Sequence, residues 1–142
     1  MKTIGLGAFA YANKLKNIEL PDTLENIESR AFIDTGITEL RLPSSLISLD
    51  SQAFAGMQFL REITISDKIL RLPFQAFMNC KQLENITLPR SLNVIDNRVF
   101  ENCTSLSKII YKGSKEEWES IYKYPDWKTG MNKYAEIIYL NK

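Results

Sequence analysis

The chain has 142 residues, which is enough for about one domain, and its 44% hydrophobic and 25% charged residues are ordinary for a folded protein. Its 18 lysines and arginines against 17 acidic residues give a net charge of +1, which argues against the basic excess of a nucleic-acid binder. Histidine is absent, so the commonest general base and transition-metal ligand are both missing.

A signal peptide would stand at the N-terminus of the chain, and a membrane-spanning segment would be a long apolar run anywhere along it. Residues 1–9 lack the apolar stretch of a signal peptide. No apolar run approaches the roughly 20 residues that a membrane-spanning helix needs. We therefore expect no membrane insertion, and we expect any export signal of the natural protein to have preceded this segment.

A small residue followed by phenylalanine recurs along most of the chain. The pairs are Ala8-Phe9, Ala31-Phe32, Ala53-Phe54, Ala76-Phe77 and Val99-Phe100. Successive phenylalanines are 23, 22, 23 and 23 residues apart. A fixed short period of this kind indicates a stack of similar coils.

Alignment on the phenylalanine divides the chain into five coils and a C-terminal segment. The coils are residues 4–26, 27–48, 49–71, 72–94 and 95 to about 112. Coil two is one residue short just after Phe32, and we expect this deletion in a loop because a slip within a strand would turn its core residues outward.

Each coil contains two extended stretches. The first shows period-2 alternation, as in Asn17–Leu20 and Asn85–Leu88, which predicts a half-buried strand. Proline follows this stretch in coils one, two and four, where it ends the ladder. A second short extended run, such as that around Leu24 and Ile27, is predicted on another side of the coil.

The Ala-Phe segment itself is interpreted as one helical turn. Acidic residues or Pro73 precede it, as at a helix start. Two residues after the ring stand residues that tolerate a left-handed backbone and close a helix: Asp34, Gly56, Asn79 and Asn102. Tyr11 departs from this pattern in coil one.

No coil can bury its apolar face alone, so stacking must place like residue on like residue, about 4.8 Å apart where strands pair. The repeat stops after Tyr111. Ser114 and Glu117 form a predicted capping box before a helix at about residues 115–123, and residues 135–140 are predicted to be a strand. Residues 113–142 are interpreted as a helix-strand cap, whereas the upper face of coil one has no cap.

The recurring unit I-x3-AF-x2-C-x2-L-x2-I-x-LP-x2-L resembles the BspA-type leucine-rich repeat of bacterial surface proteins. The resemblance covers about residues 4–112, and the tail GSKEEWESIYK followed by AEIIYLNK is similar to segments that close such arrays. It implies an α/β solenoid, a right-handed stack with a parallel β-sheet on its concave face and short helical turns elsewhere. Residues 1–142 would form a single domain.

Two departures from the repeat pattern concern coil three. Ser66 stands where coils one, two and four have proline, and Lys68 stands where Thr23, Ser45 and Ser91 can hydrogen-bond the turn. We expect coil three to be the irregular coil.

The outward positions of the concave strands are the candidate partner-binding residues. They form two columns: Asn17, Glu39, Glu62, Asn85 and Lys108, and beside them Glu19, Arg41, Thr64, Thr87 and Ile110. The alternative interpretation is a solvated sheet face, with Glu19 and Arg41 forming an ordinary cross-strand ion pair.

The sequence contains no recognisable catalytic, cofactor-binding or metal-binding motif. Cys80 and Cys103 occupy the same place in neighbouring coils, within disulfide reach if stacked, but two buried free thiols are the favoured interpretation. Tyr124 and Trp127 are interpreted as packing the cap rather than stacking on a sugar.

These observations favour a non-enzymatic interaction or adhesion module of a secreted or cell-surface bacterial protein. Its partner would be a protein or host-matrix component, or a glycan, bound through the concave sheet, with no nucleic acid and no cofactor. The alternative is a structural spacer that displays other domains or associates with itself end to end through the uncapped coil one.

Overall fold

The computed structural model describes residues 1–141, and within this range the chain is built from short parallel strands and one helix. The strands are β1 (Thr3–Ile4), β2 (Asn26–Ile27), β3 (Ser48–Leu49), β4 (Glu62–Thr64), β5 (Arg71–Leu72), β6 (Asn85–Leu88), β7 (Val94–Ile95), β8 (Lys108–Tyr111), β9 (Tyr122–Lys123) and β10 (Glu136–Tyr139). The helix is α1 (Lys115–Ser120), and no helix in this range is long and apolar enough to cross a membrane.

The strands form three parallel sheets whose strands come from successive coils. The longest strands make one sheet in the order β10-β8-β6-β4, which we call the four-stranded face. The short strands make two further sheets, β1-β2-β3 and β5-β7-β9. Ile86 pairs with Ile63 on one side and with Ile109 on the other, so the predicted stacking of like residue on like residue is confirmed.

The second extended run of each coil is also confirmed, as the short strands β1, β2, β3, β5 and β7. These short strands do not form one continuous sheet, because pairing stops between β3 and β5. On either side of this break the residue after the strand donates to the preceding coil: Asp50 N–H to the Ile27 carbonyl and Asp96 N–H to the Leu72 carbonyl, both at 3.0 Å. Pro73 holds the equivalent position and has no N–H to donate to the preceding coil. It interrupts this ladder rather than starting a helix.

The predicted strands of coils one and two on the four-stranded face are not formed. Residues 17–20 and 39–42 belong to no strand. Thr38 N–H donates to the Lys16 carbonyl at 3.2 Å, but the hydrogen-bonded ladder does not continue from there into the following residues as it does between β4 and β6. Ile18 and Leu20 at this end are only half-buried, whereas the equivalent residues of β6 are fully buried.

The phenylalanine ladder runs through the centre of the stack. The five rings are stacked with centroids 5.4, 6.0, 5.4 and 6.0 Å apart. Phe32, Phe54, Phe77 and Phe100 are fully buried, while Phe9, the first ring of the ladder, is half-buried. Stacked aromatic pairs of this spacing add to the stability that their burial provides.

The prediction of a helical turn at each Ala-Phe pair is wrong. The residue two before each ring has a positive φ, as at Arg30 (58°), Gln52 (59°), Gln75 (52°) and Arg98 (56°). Alternate N–H groups bond within the coil and to the next coil: Ala31 N–H to the Glu28 carbonyl, and Phe32 N–H to the Ala53 carbonyl. Hydrogen bonding between coils therefore replaces the bonds of a helix.

The left-handed residues after each ring are confirmed. Asp34, Gly56, Asn79 and Asn102 have φ of 56°, 71°, 63° and 61°. Tyr11, which lacks the expected side chain, adopts the same conformation with φ 64°. Its N–H donates to the Ile33 carbonyl at 2.8 Å, so bonding between coils holds the tyrosine in this conformation.

A line of polar side chains connects the coils outside the phenylalanine ladder. Arg30 donates to Gln52, Gln52 to Gln75, and Gln75 to Glu101, at 2.6, 2.6 and 2.8 Å. Arg98 forms an ion pair with the same Glu101 at 2.8 Å. All of these side chains except Glu101 project from positive-φ positions, so the unusual backbone is accompanied by hydrogen bonds that cross from coil to coil.

The one-residue deletion of coil two lies in a loop, as predicted. Thr35 fills the buried place that Cys80 fills in coil four, and Gly36 N–H donates to the Ala12 carbonyl at 3.2 Å. A Cβ atom on Gly36 would lie 2.2 Å from the Asn13 carbonyl oxygen. The shortened coil thus brings the backbones of coils one and two too close for any side chain at position 36.

Coil three keeps the repeat despite its two departures. Ser66, which is buried, donates its hydroxyl to the Pro43 carbonyl at 2.9 Å. Ser45 and Ser91 donate to carbonyls of the preceding coil at 2.6 and 2.7 Å, so these hydroxyls do bond the backbone at this turn. The expectation that Ser66 and Lys68 make coil three irregular is wrong for the four-stranded face, because β4 pairs in register with β6.

The C-terminal residues extend the stack beyond coil five. The capping box of Ser114 and Glu117 is present, but α1 ends at Ser120 rather than at residue 123. Tyr122 N–H instead donates to the Asn93 carbonyl at 3.0 Å, so that β9 pairs with β7. The predicted final strand is β10, which pairs with β8 from Glu136↔Lys108 to Tyr139↔Tyr111.

The first turn of α1 contains a carboxylate with a strongly lowered pKa. A hydrogen bond and ion pair from Arg90 at 2.9 Å, together with the Ser114 N–H, lower the pKa of Glu117 to about 2. Because the folded pKa lies below the unfolded value of about 4.3, this carboxylate stabilises the fold above pH 4.3. Its contribution is lost as the pH falls from there through 2.

Replacing Arg90 with methionine is expected to raise the pKa of Glu117 towards 4.3, because the largest cause of the shift is removed. The measurement is an NMR titration of the Glu117 side-chain carboxyl carbon. Arg98→Met, which breaks the distant pair with Glu101, is the matched control and should leave the Glu117 titration unchanged. An unchanged titration in Arg90→Met would contradict the assigned cause.

Candidate binding groove

A groove of about 1090 Å³ runs along the four-stranded face and continues over coils one and two. Strands β4, β6 and β8 form its floor at one end, and residues 17–19 and 39–42 form it at the other. Because side chains alternate along a strand, Ile63 and Ile86 point into the core while Glu62, Thr64 and Thr87 point outward.

The groove brings together nine of the ten candidate residues. Those that line it are Asn17, Glu19, Glu39, Arg41, Glu62, Thr64, Asn85, Thr87 and Ile110. Lys108 is exposed on β8 but does not line the groove. In the sheet it lies beside Asn85 on one side and Glu136 on the other.

The sequence interpretation missed the residues that form the rim of the groove. Asp22, Ser44, Asp67 and Lys112 lie just after the extended stretch of their coils and line one side. The Lys112 amine contacts the Asp67 carboxylate at 2.8 Å, an ion pair that spans two coils. Because this turn recurs at a fixed position in the repeat, the sequence could have identified these rim residues.

The groove is more acidic than the chain as a whole. Its lining includes five carboxylates and two cationic side chains, although the chain carries a net charge of +1. Lys112 is paired with Asp67. Among residues 1–141, no lysine or arginine lies within 4 Å of the carboxylates of Glu19, Asp22, Glu39 and Glu62.

The expected pair between Glu19 and Arg41 is not among the ion pairs of the described residues. Cross-strand pairs form where two paired strands hold side chains opposite each other. Coils one and two form no such strands at these positions. Both side chains are exposed, so the guanidinium and the carboxylate remain accessible from the groove.

A second, smaller cavity of about 460 Å³ adjoins the groove on the other side. Glu39, Glu62 and Asn85 line both cavities, and Phe59, Arg61 and Glu84 line only the second. Phe59 is 45% exposed and carries the Lys16 amine 5.2 Å from its ring centroid. This edge adds an accessible aromatic surface next to the acidic side chains.

The two cysteines are buried and free, and neither lies near the groove lining. Their thiols donate to the Phe54 and Phe77 carbonyls at 3.2 and 3.0 Å. Burial raises the pKa of the Cys80 thiol well above its usual value, which keeps it protonated. The described residues also contain no group of three or more side chains suited to hold a metal ion.

Trp127 and Tyr124 pack within the C-terminal segment. The Trp127 ring lies edge-on to Trp118 with centroids 5.9 Å apart, and Trp118 in turn contacts Tyr111 at 5.4 Å. Tyr124 lies against Tyr122 at 5.0 Å and under the Arg71 guanidinium at 5.7 Å. These contacts agree with a packing role for both aromatic residues.

The stacked coils, the parallel sheets and the open groove define a repeat protein of the leucine-rich class. A family model described as "BspA type Leucine rich repeat region (6 copies)" matches residues 2–124. The chain belongs to this family, and the resemblance inferred from the repeated unit is confirmed.

Solved bacterial structures are similar to the chain. A leucine-rich repeat protein from Bacteroides ovatus is 28% identical with a TM-score of 0.74, over 79% of this chain and 31% of that one. A leucine-rich repeat protein from Eubacterium ventriosum is 23% identical with a TM-score of 0.60, over 89% of this chain and 42% of that one. The chain thus spans less than half of either. No curated protein matches significantly by sequence.

Proposed function

We propose that the chain is a non-enzymatic interaction module that binds a protein partner through the groove of the four-stranded face. The single observation that carries the proposal is the groove itself: outward side chains from five successive coils line one continuous concavity. Within it the scaffold positions repeat while the outward residues differ from coil to coil. Membership of the leucine-rich repeat family supports the same function.

The dimensions of the groove favour a macromolecular partner. Five coils at about 4.8 Å span roughly 19 Å along the stack, the length of about six extended residues at 3.3 Å each. The lining is mixed in polarity and open, unlike the enclosed and mostly apolar pockets that bind small molecules. A peptide segment, a protein surface or an extended glycan fits such a shape.

The proposal is tested by screening the folded chain against extracellular-matrix proteins and a glycan array, followed by binding measurements on each hit. Alanine at Arg41, Glu62 and Thr87 is expected to weaken binding of a true partner by tenfold or more, since these side chains share the groove floor. The control carries alanine at Lys115, Glu116 and Glu119, which lie on α1 outside the groove lining. Equal binding by both variants would contradict the site.

We also propose that the natural protein is secreted or displayed on a bacterial cell surface, with adhesion as its role. The family assignment and the bacterial origin of the similar structures support this proposal. Residues 1–142 would act as one domain whose C-terminal helix and strand close the stack. Its coils would be right-handed, as parallel strand crossovers almost always are.

A spacer that associates with itself through coil one is the second candidate. The exposure of side chains around the first ring of the phenylalanine ladder favours it. Phe9 is only half-buried, and Leu6 beside it is 72% exposed. Light scattering across a concentration series distinguishes the two functions, because end-to-end association raises the average mass with concentration and a binding module alone does not.

A further inference from the structure

The acidic side chains of the groove are confined to one end, and this asymmetry restricts the chemistry of its partner. Glu19 and Asp22 come from coil one, Glu39 from coil two, and Glu62 and Asp67 from coil three. The other end, over β6 and β8, presents Asn85, Thr87 and Ile110. The groove therefore has an acidic half over coils one to three. The half over coils four and five has no carboxylate, and its one charged lining residue, Lys112, is paired with Asp67.

The acidic half is not neutralised by the chain itself. Among residues 1–141, four of its five carboxylates have no ion pair, and Asp67 is paired with Lys112. The Arg41 guanidinium is the one groove-lining cation that coils one to three themselves contribute. The neighbouring cavity adds Glu84, with Arg61 as its one cationic side chain. In a concave site, charges of one sign reinforce each other and attract a partner of opposite charge.

We propose that the groove recognises an extended cationic segment of a protein, with its lysine or arginine side chains over coils one to three and an uncharged or apolar part over Thr87 and Ile110. This inference rests on the proposed function and adds the charge and the placement of the partner. Carboxylates from three successive coils can each accept from a basic side chain on the groove-facing side of such a segment. A guanidinium or ammonium group finds its oxygen acceptors already oriented outward.

Backbone geometry supports an extended partner at the acidic half. Residues 17–20 and 39–42 are outside the strand ladder, and all of them except Leu20 line the groove. An extended peptide has free N–H and C=O groups along its length, which can bond such a backbone as well as its side chains. The charged side chains set which segments bind, and the backbone contacts are common to any extended segment.

The test uses three capped octapeptides as probes: alternating Lys-Thr, alternating Glu-Thr and alternating Gln-Thr. The Lys-Thr peptide is expected to shift amide resonances of coils one to three, and its affinity to fall at least threefold between 50 and 200 mM NaCl. The Glu-Thr peptide is expected to cause no shifts there. Equal shifts from the three peptides, or Lys-Thr shifts confined to α1 and the C-terminal residues, would overturn the proposal.

Charge variants identify the carboxylates. Glu39→Gln and Glu62→Gln are each expected to weaken Lys-Thr binding about two- to fivefold, as for exposed ion pairs. Glu116→Gln on α1 is the matched control and should leave binding unchanged. All three sites are exposed, so circular dichroism should show an unchanged fold. If Glu116→Gln weakens binding as much as the groove variants, the placement is wrong.

Failure here is distinguishable from failure of the proposed function. If a native partner loses binding to the groove alanine variant but not to Glu39→Gln or Glu62→Gln, the interaction function stands and the cationic partner is excluded. If groove alanines leave every partner bound, the proposed function itself fails.

Discussion

Replacing Phe54 with alanine is expected to lower the free energy of unfolding by about 3–5 kcal/mol. The ring is fully buried between Phe32 and Phe77, at centroid distances of 6.0 and 5.4 Å. Its removal leaves a cavity in mid-ladder and deprives both neighbouring rings of a stacking partner. Typical domains of this size are stable by only 5–15 kcal/mol, so the loss is a large fraction of the total.

The measurement is urea unfolding followed by far-UV circular dichroism and by tryptophan fluorescence. Both tryptophans lie beyond coil five, so the two signals test whether the stack unfolds as one unit. Phe59→Ala is the matched control, because this ring is 45% exposed and outside the ladder. A loss in Phe59→Ala equal to that in Phe54→Ala would contradict the structural role assigned to the ladder.

Replacing Gly36 with alanine is expected to destabilise the chain by about 1–3 kcal/mol, the usual cost of overpacking. The added Cβ would lie 2.2 Å from the Asn13 carbonyl oxygen, and backbone cannot move aside as a flexible side chain can. Coil one would have to separate from coil two at the point where Gly36 N–H donates to the Ala12 carbonyl. Thermal and urea unfolding would measure the loss.

Gly5→Ala provides the control for this substitution. A Cβ at Gly5 meets no atom within 4 Å, and the residue has no positive φ. The free energy of unfolding should therefore change by only a few tenths of a kcal/mol, or rise slightly because alanine restricts the unfolded chain. Equal destabilisation at both positions would show that the close approach of Asn13 is not the cause.

The architecture was predictable because the sequence repeats the same information five times. A single Ala-Phe pair is uninformative, but five at one period determine that like residues stack. Ile63, Ile86 and Ile109 could be placed in register from spacing alone, and the structure pairs them so. The deletion in coil two could be placed in a loop because the flanking core positions keep their pattern.

The Ala-Phe segment could not be predicted correctly because its conformation depends on contacts between coils. Arg30 and Gln75 have no intrinsic preference for positive φ, so nothing in their identity indicates a left-handed backbone. Hydrogen bonds to the adjacent coil, such as Phe77 N–H to the Val99 carbonyl, compensate for that conformation. A reading of one coil at a time assigns a helical turn instead.

The sequence predicted the residues of the groove floor but not those of its rim. Alternation along a strand identifies outward residues such as Thr64 and Thr87, which line the groove. The pair of Lys112 with Asp67 joins residues 45 positions apart, and no local pattern links them. The absent strands of coils one and two were missed for a similar reason, since strand pairing depends on both neighbours.

In the phenylalanine segment the hydrogen bonds between coils all run from one coil to the next in the same direction. This regularity affects how a chain of this kind can lengthen by duplication of a coil. In the phenylalanine segment each coil donates N–H groups to the coil that follows, as Phe32 does to Ala53 and Phe54 to Ala76. A duplicated coil inserted in register would meet donors and acceptors of the right kind on both sides. Duplication of one 23-residue unit would lengthen the groove by about 4.8 Å while creating no new type of interface. Evolution can thus fit the reach of the groove to a partner separately from its chemistry.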